Sequence, residues 1–225
     1  MREQVSTMEN SIPKVCKSSK QAGRFKQRFI AQFGRPTGFW GKVAGTIMAH
    51  RPSNRERNYW TVALLDIQPG DRVLEIGFGP GLALERVSRM VVNGFVAGID
   101  HSEVMLRQAQ KRNAKAIREG RVDLRMASVA ALPSYPKPFD KILAVNSVQF
   151  WPDPVENLKM FRQILKPGGR IALTFQPRNP GATEEDAQRA GREILANLSR
   201  AGFSQVSLKT LPLKPVSAVC VLGVH

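Results

Sequence analysis

Two cysteines, Cys16 and Cys220, are all that the 225 residues carry. Two thiols cannot build a disulfide framework, so a reducing compartment, the cytoplasm, is the expected location. No apolar run approaches the roughly 18 residues that a membrane-spanning helix needs, and the first 30 residues lack the apolar block of a secretory signal. Membrane-spanning, secreted and disulfide-stapled classes are therefore set aside. Histidine is scarce too (His50, His101 and His225), and no group of His, Cys, Asp and Glu has metal-ligating spacing, so no metal is expected. Acids are few: 18 Asp and Glu against 34 Lys and Arg leave a net charge of +16. A hydrophobic content of 42% is what remains in ordinary supply, enough for a packed core and too much for a disordered chain.

The charge is uneven. Residues 1–60 hold 12 Lys and Arg and three acids (Glu3, Glu9, Glu56), which is +9 of the total. Residues 1–22 are polar and aperiodic and read as a basic, mobile tail. Over 23–65 apolar residues return in helical register, Phe25, Phe29, Ile30 and Phe33, then Phe39, Trp40, Val43 and Ile47, with Gly34, Pro36 and Gly38 between the two runs. A third helix is expected to start after a capping Asn54 and to run through Trp60 and Leu64. This stretch is a helical annex or substrate lid to a domain over 66–225.

In that domain strands alternate with helices. Short apolar strands are expected at 72–77 (RVLEIG), 95–100 (FVAGID), 122–126, 141–145 (KILAV) and 170–175 (RIALTF). Helices are expected over 82–90, 103–117, 155–165 and 184–201, the third stopped by Lys166-Pro167-Gly168-Gly169. Two valine-rich strands, 205–211 and 216–224, close the sequence around a Pro-Leu-Lys-Pro turn. Strand–helix alternation followed by two adjacent strands predicts an α/β fold, a parallel sheet with an antiparallel edge.

The chemistry concentrates at Glu75-Ile76-Gly77-Phe78-Gly79-Pro80-Gly81, between the first strand and its helix. Glycines there let backbone N–H groups approach a ligand. A dinucleotide fingerprint would need glycine at 82, where Leu82 stands, so NAD is disfavoured, and no Gly-Lys-Ser/Thr follows to make a phosphate loop. Asp100 ends the second strand 19 residues after Gly81, where a carboxylate can accept both hydrogen bonds of a ribose diol.

Four ordered segments, VLEIGFGPG (73–81), GIDHSEVM (98–105), FDKILAVNSVQFWPDP (139–154) and FRQILKPGG (161–169), resemble the successive motifs of class I S-adenosylmethionine-dependent methyltransferases. They are most similar to the small-molecule branch that includes the ubiquinone and menaquinone C-methyltransferases, over about residues 54–224. The resemblance implies a Rossmann-like three-layer sandwich with seven strands in the order 3-2-1-4-5-7-6, the last antiparallel. It implies S-adenosyl-L-methionine as cofactor and S-adenosyl-L-homocysteine as product. Glu75 and the backbone of Gly77, Phe78, Gly79 and Gly81 would face the methionine portion, Asp100 would hold the ribose, and Met105 would pack on the adenine. Asn146 and Ser147 would lie near the sulfonium and the acceptor. Family members often carry an acid where this sequence has Ser128; its hydroxyl and the Val129 N–H would serve the adenine edge instead. His101, directly after the ribose acid, would line the cofactor.

A sulfonium methyl is already electrophilic, so alignment is the main demand, and a base is needed only where the nucleophile loses a proton. His50, Tyr59, Asn146 and Gln149 are the candidates for a catalytic group; Phe150 and Trp151 are pocket or core residues. Asn146-Ser147-Val148-Gln149 is unlike the Asn-Pro-Pro-Tyr stretch of amino-methylating enzymes, and neither cysteine follows a proline at a strand end. The acceptor is expected to be a small, partly apolar molecule methylated on O, N, S or C. Two alternatives stay open: an RNA-directed methyltransferase using the basic annex and a stripe of Arg107, Lys111, Arg112, Lys115, Arg118, Arg121 and Arg125, or a non-catalytic binding module of the same fold.

Overall fold

The computed structural model describes residues 52–225. The basic tail over 1–22, the first two helices of the annex, Cys16 and His50 lie outside the described residues. From Pro52 onward the chain forms α1 (Pro52–Leu64), β1 (Arg72–Ile76), α2 (Leu82–Met90), β2 (Phe95–Asp100), α3 (Glu103–Arg112), α4 (Ala114–Arg118), β3 (Val122–Met126), β4 (Phe139–Val145), a 3₁₀ turn (Val148–Phe150), α5 (Pro154–Ile164), β5 (Leu165–Phe175), α6 (Glu184–Arg200), β6 (Ser204–Leu211) and β7 (Ala218–Val224).

All seven strands join one sheet in the order β3-β2-β1-β4-β5-β7-β6. β7 runs antiparallel to both of its neighbours, while β1 to β5 pair in parallel. Because successive strand residues point to opposite faces, each strand feeds two cores. Val73, Leu143, Ala172 and Cys220 point toward α1 to α4; Leu74, Ile142, Ile171 and Val221 point toward α5 and α6. Both faces are covered, which is why these strands read as continuous apolar runs. Trp151 and Phe161 meet edge to face on the second side, centroids 5.2 Å apart.

Several boundaries differ from those the sequence predicts, for physical reasons. α1 already includes Pro52, so Asn54 lies inside the helix; its backbone oxygen accepts from the Asn58 side chain at 2.7 Å and its Oδ1 from Arg57. The helix expected over 103–117 is interrupted at Asn113, whose amide donates to Ala109 O at 2.9 Å and Gly81 O at 3.4 Å and so competes with the helical ladder. Lys166 to Gly169 end α5 as expected but then enter β5. Gly168 N–H donates to His225 O at 2.9 Å, and Gly169 O accepts from His225 N–H at 2.8 Å, which fastens this glycine pair to the far side of β7.

α1 is built into the domain's own layer. Val62 and Leu65 are fully buried beneath it, and the Thr61 and Thr174 hydroxyls meet at 2.6 Å between helix and β5, with Thr61 also donating to Arg57 O. Neither hydroxyl reaches water. Thr61→Val alone is expected to leave the Thr174 hydroxyl only the weak Cys220 sulfur as a partner and to cost about 1 kcal/mol. Adding Thr174→Val should recover most of that loss. Urea unfolding of the two variants checks the asymmetry.

Candidate functional site

The loops that leave β1, β2, β4 and β5 meet at the carboxyl ends of the strands, where the strand order reverses between β1 and β4. An open α/β sheet forms its crevice at this position. β1 hands over to the glycine loop through Gly77, whose N–H donates to Ile99 O at 2.8 Å. The Phe78 ring turns into the core against Gly98, where an added Cβ would stand 2.8 Å from it. Phe78 can therefore offer a ligand only its backbone.

Gly79 and Gly81 are glycines for different reasons. Gly81 caps α2 with φ +79°, and a Cβ there would fall within 2.8–3.0 Å of Asn113 and Ala109. It lets α2 and α3 approach. Gly79, φ +50°, would place its Cβ in open space with nothing within 4 Å. Its constraint is the backbone turn, which aims its N–H at Asp100 Oδ2, 2.8 Å away.

Asp100 is 6% exposed, and its other oxygen accepts the Ser102 N–H at 2.9 Å. Burial pushes its pKa up, and the N–H groups of Ser102 and Gly79 pull it back. His101 is exposed, with Nδ1 3.9 Å from Asp100 Oδ1. Ser102 caps α3 by accepting the Met105 N–H at 3.4 Å. The Met105 side chain is 2% exposed and belongs to the core among α2 and α3.

Glu75 stands on the same face of the sheet, 2% exposed. It accepts the Leu84 N–H from the first turn of α2, but its Oε2 is buried with no hydrogen-bond partner among the described residues. Burial drives its pKa well above the ordinary carboxylate range, and Asp100 adds to the effect.

β4 delivers the opposite wall. Ser147 donates to Ile76 O at 2.8 Å, and its Cβ lies 2.5 Å from where a Gly77 Cβ would stand, so the β1 and β4 loops touch. Asn146 takes φ +52° and spends both ends of its amide on one neighbour, accepting Gln176 N–H at 2.9 Å and donating to Gln176 O at 3.0 Å. It is a clamp between β4 and β5. Gln149 is exposed and donates to Asn146 O at 2.9 Å. Trp151 is core, whereas Phe150 beside it is 52% exposed.

Two candidates sit apart from this group. Tyr59 lies on the α2 side of α1, its ring between Arg55 and Arg86, 5.2 and 5.5 Å from the centroid. Ser128 is exposed, and its hydroxyl accepts the Ala130 N–H at 3.2 Å within a tight turn; Val129 is half-buried and packs on the core.

A methyltransferase-domain family matches residues 73–169, which spans β1 to the glycine pair of β5. The uncharacterized methyltransferase YdaC of Bacillus subtilis (strain 168) is 35% identical over 178 residues, covering 79% of this chain and 95% of that one. This chain belongs to the class I S-adenosylmethionine-dependent methyltransferases. The 27-O-demethylrifamycin SV methyltransferase of Amycolatopsis mediterranei (strain S699) is 31% identical over 189 residues, covering 80% of this chain and 66% of that one. The crystal structure of a SAM dependent methyltransferase from Aquifex aeolicus superposes with a TM-score of 0.63 at 20% identity, covering 80% of this chain and 97% of that one. The enzyme uses S-adenosylmethionine, and its own residues fit such a ligand: a buried carboxylate oxygen without a partner among the described residues, a glycine edge open to space, and a fixed acid at the end of β2.

Sequence reasoning missed the residue that organises the β5 end. Gln176 is fully buried, and every polar atom it has is engaged. Besides the Asn146 clamp, its Oε1 accepts from Arg57 and from Arg178 (3.3 Å), and its Nε2 donates to Val216 O at 2.7 Å. The available signal was a glutamine placed between an apolar strand and Pro177. Arg57, 3% exposed, stands beside the solvent-facing Arg55 and Glu56, and nothing local distinguishes it.

Glu75 gives a pH dependence with a definite sign. Well below about pH 4.3 the group is protonated in folded and unfolded chains alike. As pH rises, the unfolded chain ionises first, so stability falls from there up to the raised folded-state pKa. Glu75→Gln should remove that slope, so that at about pH 7–8 the ligand-free variant melts some 3 °C or more above the parent, with the gap closing toward pH 4. Calorimetric affinity for S-adenosylhomocysteine should fall about tenfold in the same variant.

Proposed function

We propose that the enzyme moves the methyl group of S-adenosylmethionine by in-line displacement to a nucleophilic atom of a small, partly apolar acceptor held above the carboxyl ends of β1, β4 and β5. One observation supports the reading: the unpartnered Glu75 oxygen, the open Gly79 edge and the Asp100 carboxylate gather at the carboxyl ends of β1 and β2, where the Ser147 turn of β4 packs against the glycine loop. In this reading Glu75 accepts the cofactor's α-ammonium and the glycine-loop backbone lies along its methionine part. Asp100, already fixed by two N–H donors, uses its remaining lone pairs on the ribose hydroxyls. Met105 backs the adenine from the core, and His101 and Val129 border it.

When bound, the cofactor supplies a methyl on a sulfonium, so the protein is left with alignment and exclusion of water. Asn146 and Gln149 carry amides, which take no proton at neutral pH. The β4 end therefore positions the acceptor, with exposed Phe150 offering an apolar rim. In this reading the annex over residues 23–65, which ends in α1, would cover the acceptor. The relative that methylates 27-O-demethylrifamycin SV favours a small-molecule acceptor.

The basic stripe lends little to an RNA-directed reading. Of its seven cations, five are ion-paired on the protein itself: Arg107 with Glu103, Arg112 with Glu85, Lys115 and Arg121 with Glu119, and Arg125 with Asp123. Such exposed pairs add little stability, but they lower the field a phosphate backbone would meet.

Incubation with methyl-labelled S-adenosylmethionine and a cell extract, then separation by size, tests the reading. Label should appear in the small-molecule fraction and vanish with Asp100→Ala, whose affinity for S-adenosylhomocysteine should drop at least about tenfold. Label found only in RNA would overturn it.

A further inference from the structure

Arg57 is a buried cation with no counter-charge among the described residues. It is 3% exposed, its two terminal nitrogens donate to the neutral amide oxygens of Gln176 and Asn54, and its Nε is buried without a partner among the described residues. Among the described residues no carboxylate pairs with it, and the neighbour that acts on its charge is a second arginine. Burial, and then Arg178, bring its pKa down to about 9. Buried charges in folded proteins are ordinarily paired, because an isolated ion loses its hydration without compensation. A tie between α1 and β5 does not require this charge. Thr61 already reaches Thr174 there, and a neutral side chain could reach Gln176 without desolvating a guanidinium.

The second arginine makes the arrangement directional. Arg178 is exposed, donates to the same Gln176 oxygen at 3.3 Å, and reaches Ser53 Oγ at 3.5 Å. Two cations thus converge on one uncharged acceptor, one buried and one at the surface. Gln176 is also the residue clamped by Asn146, next to Ser147 and the glycine loop. The pair therefore stands at the acceptor side of the crevice. A guanidinium offers parallel N–H donors that match a carboxylate or a phosphate, which a lysine does not.

We propose that the methyl acceptor carries an oxyanion, a carboxylate or a phosphate ester, and that Arg57 and Arg178 bind it beside Gln176. This rests on the methyl-transfer reading above and names the class of molecule its acceptor side takes.

Thermal unfolding of the full chain tests it, with and without saturating S-adenosylhomocysteine, at matched ionic strength. The probes are benzoate, phenyl phosphate and neutral benzamide. Benzoate or phenyl phosphate should raise the midpoint by about 2 °C or more at millimolar concentration, and benzamide should not. The larger of the two shifts identifies the oxyanion. Arg178→Gln, at an exposed position, should at least halve the shift while leaving affinity for S-adenosylhomocysteine within about threefold of the parent. Arg57→Met should abolish the shift. Equal responses to benzoate and benzamide, or an undiminished response in Arg178→Gln, overturn the proposal. A parent chain that responds to the anions but transfers no methyl group to small molecules would instead sink the reading it rests on.

Discussion

The Asp100 carboxylate is the junction on which the crevice depends. It ends β2, is nearly buried, and holds one backbone N–H from each of two chain segments: Gly79 in the loop after β1 and Ser102 at the start of α3. A buried carboxylate tolerates its surroundings only if hydrogen bonds replace its lost hydration. Here the donors are the loop and the helix terminus that must themselves be fixed. The same two bonds that stabilise the acid set the positions of the glycine loop and of α3. That explains why the glycine at 79 is needed although no side chain crowds it. The backbone has to turn so that its N–H, and not its Cβ, faces the acid.

The acceptor side has a matching junction made from uncharged groups. Gln176 replaces the carboxylate with an amide and joins β4, β5, α1 and the segment before β7 through its hydrogen bonds. The contrast between the two hubs follows from polarity. An acid meets N–H groups and leaves lone pairs for hydroxyls; an amide oxygen, even one that accepts from two arginines, brings no negative charge to them. The crevice thus has an acidic half at β1–β2 and a basic half at β5; among the described residues no opposite charge answers the Glu75 carboxyl, whose neutral form burial favours, or the Arg57 guanidinium. Each costs stability in the empty protein. Proteins retain such costs at sites where a ligand supplies the missing partner.

What the sequence made legible was local. Strand ends at Asp100 and Val145 followed from apolar runs bounded by turns, β1 stopping one residue short of the expected Gly77, and the order of the sheet followed from the family resemblance. The glycine loop and Asp100 are close enough in sequence to be read as one motif. Gln176 and Arg57 are not: they lie 119 residues apart, and their bond exists only once α1 has docked on β5. The same limit explains Asn146. Its place after β4 suggested a group facing the acceptor, but both ends of its amide go to Gln176, a partner 30 residues away. Trp151 and Phe150, adjacent in sequence, separate into core and rim because the 3₁₀ turn rotates successive side chains to different sides.

The net charge shows most clearly how composition differs from local chemistry. The basic stripe along α3, α4 and β3 is partly neutralised, five of its cations pairing with four acids within a few residues or on α2. Those pairs sit in water, where their attraction is weak and salt screens it. Arg57 contributes the same single charge to the total, yet it sits where the dielectric is low and no acid among the described residues answers it. An ion there polarises its surroundings far more strongly than any lysine on an open helix. The count of positive charges therefore says little about what the enzyme binds. The burial of one of them, beside a glutamine that cannot neutralise it, says considerably more.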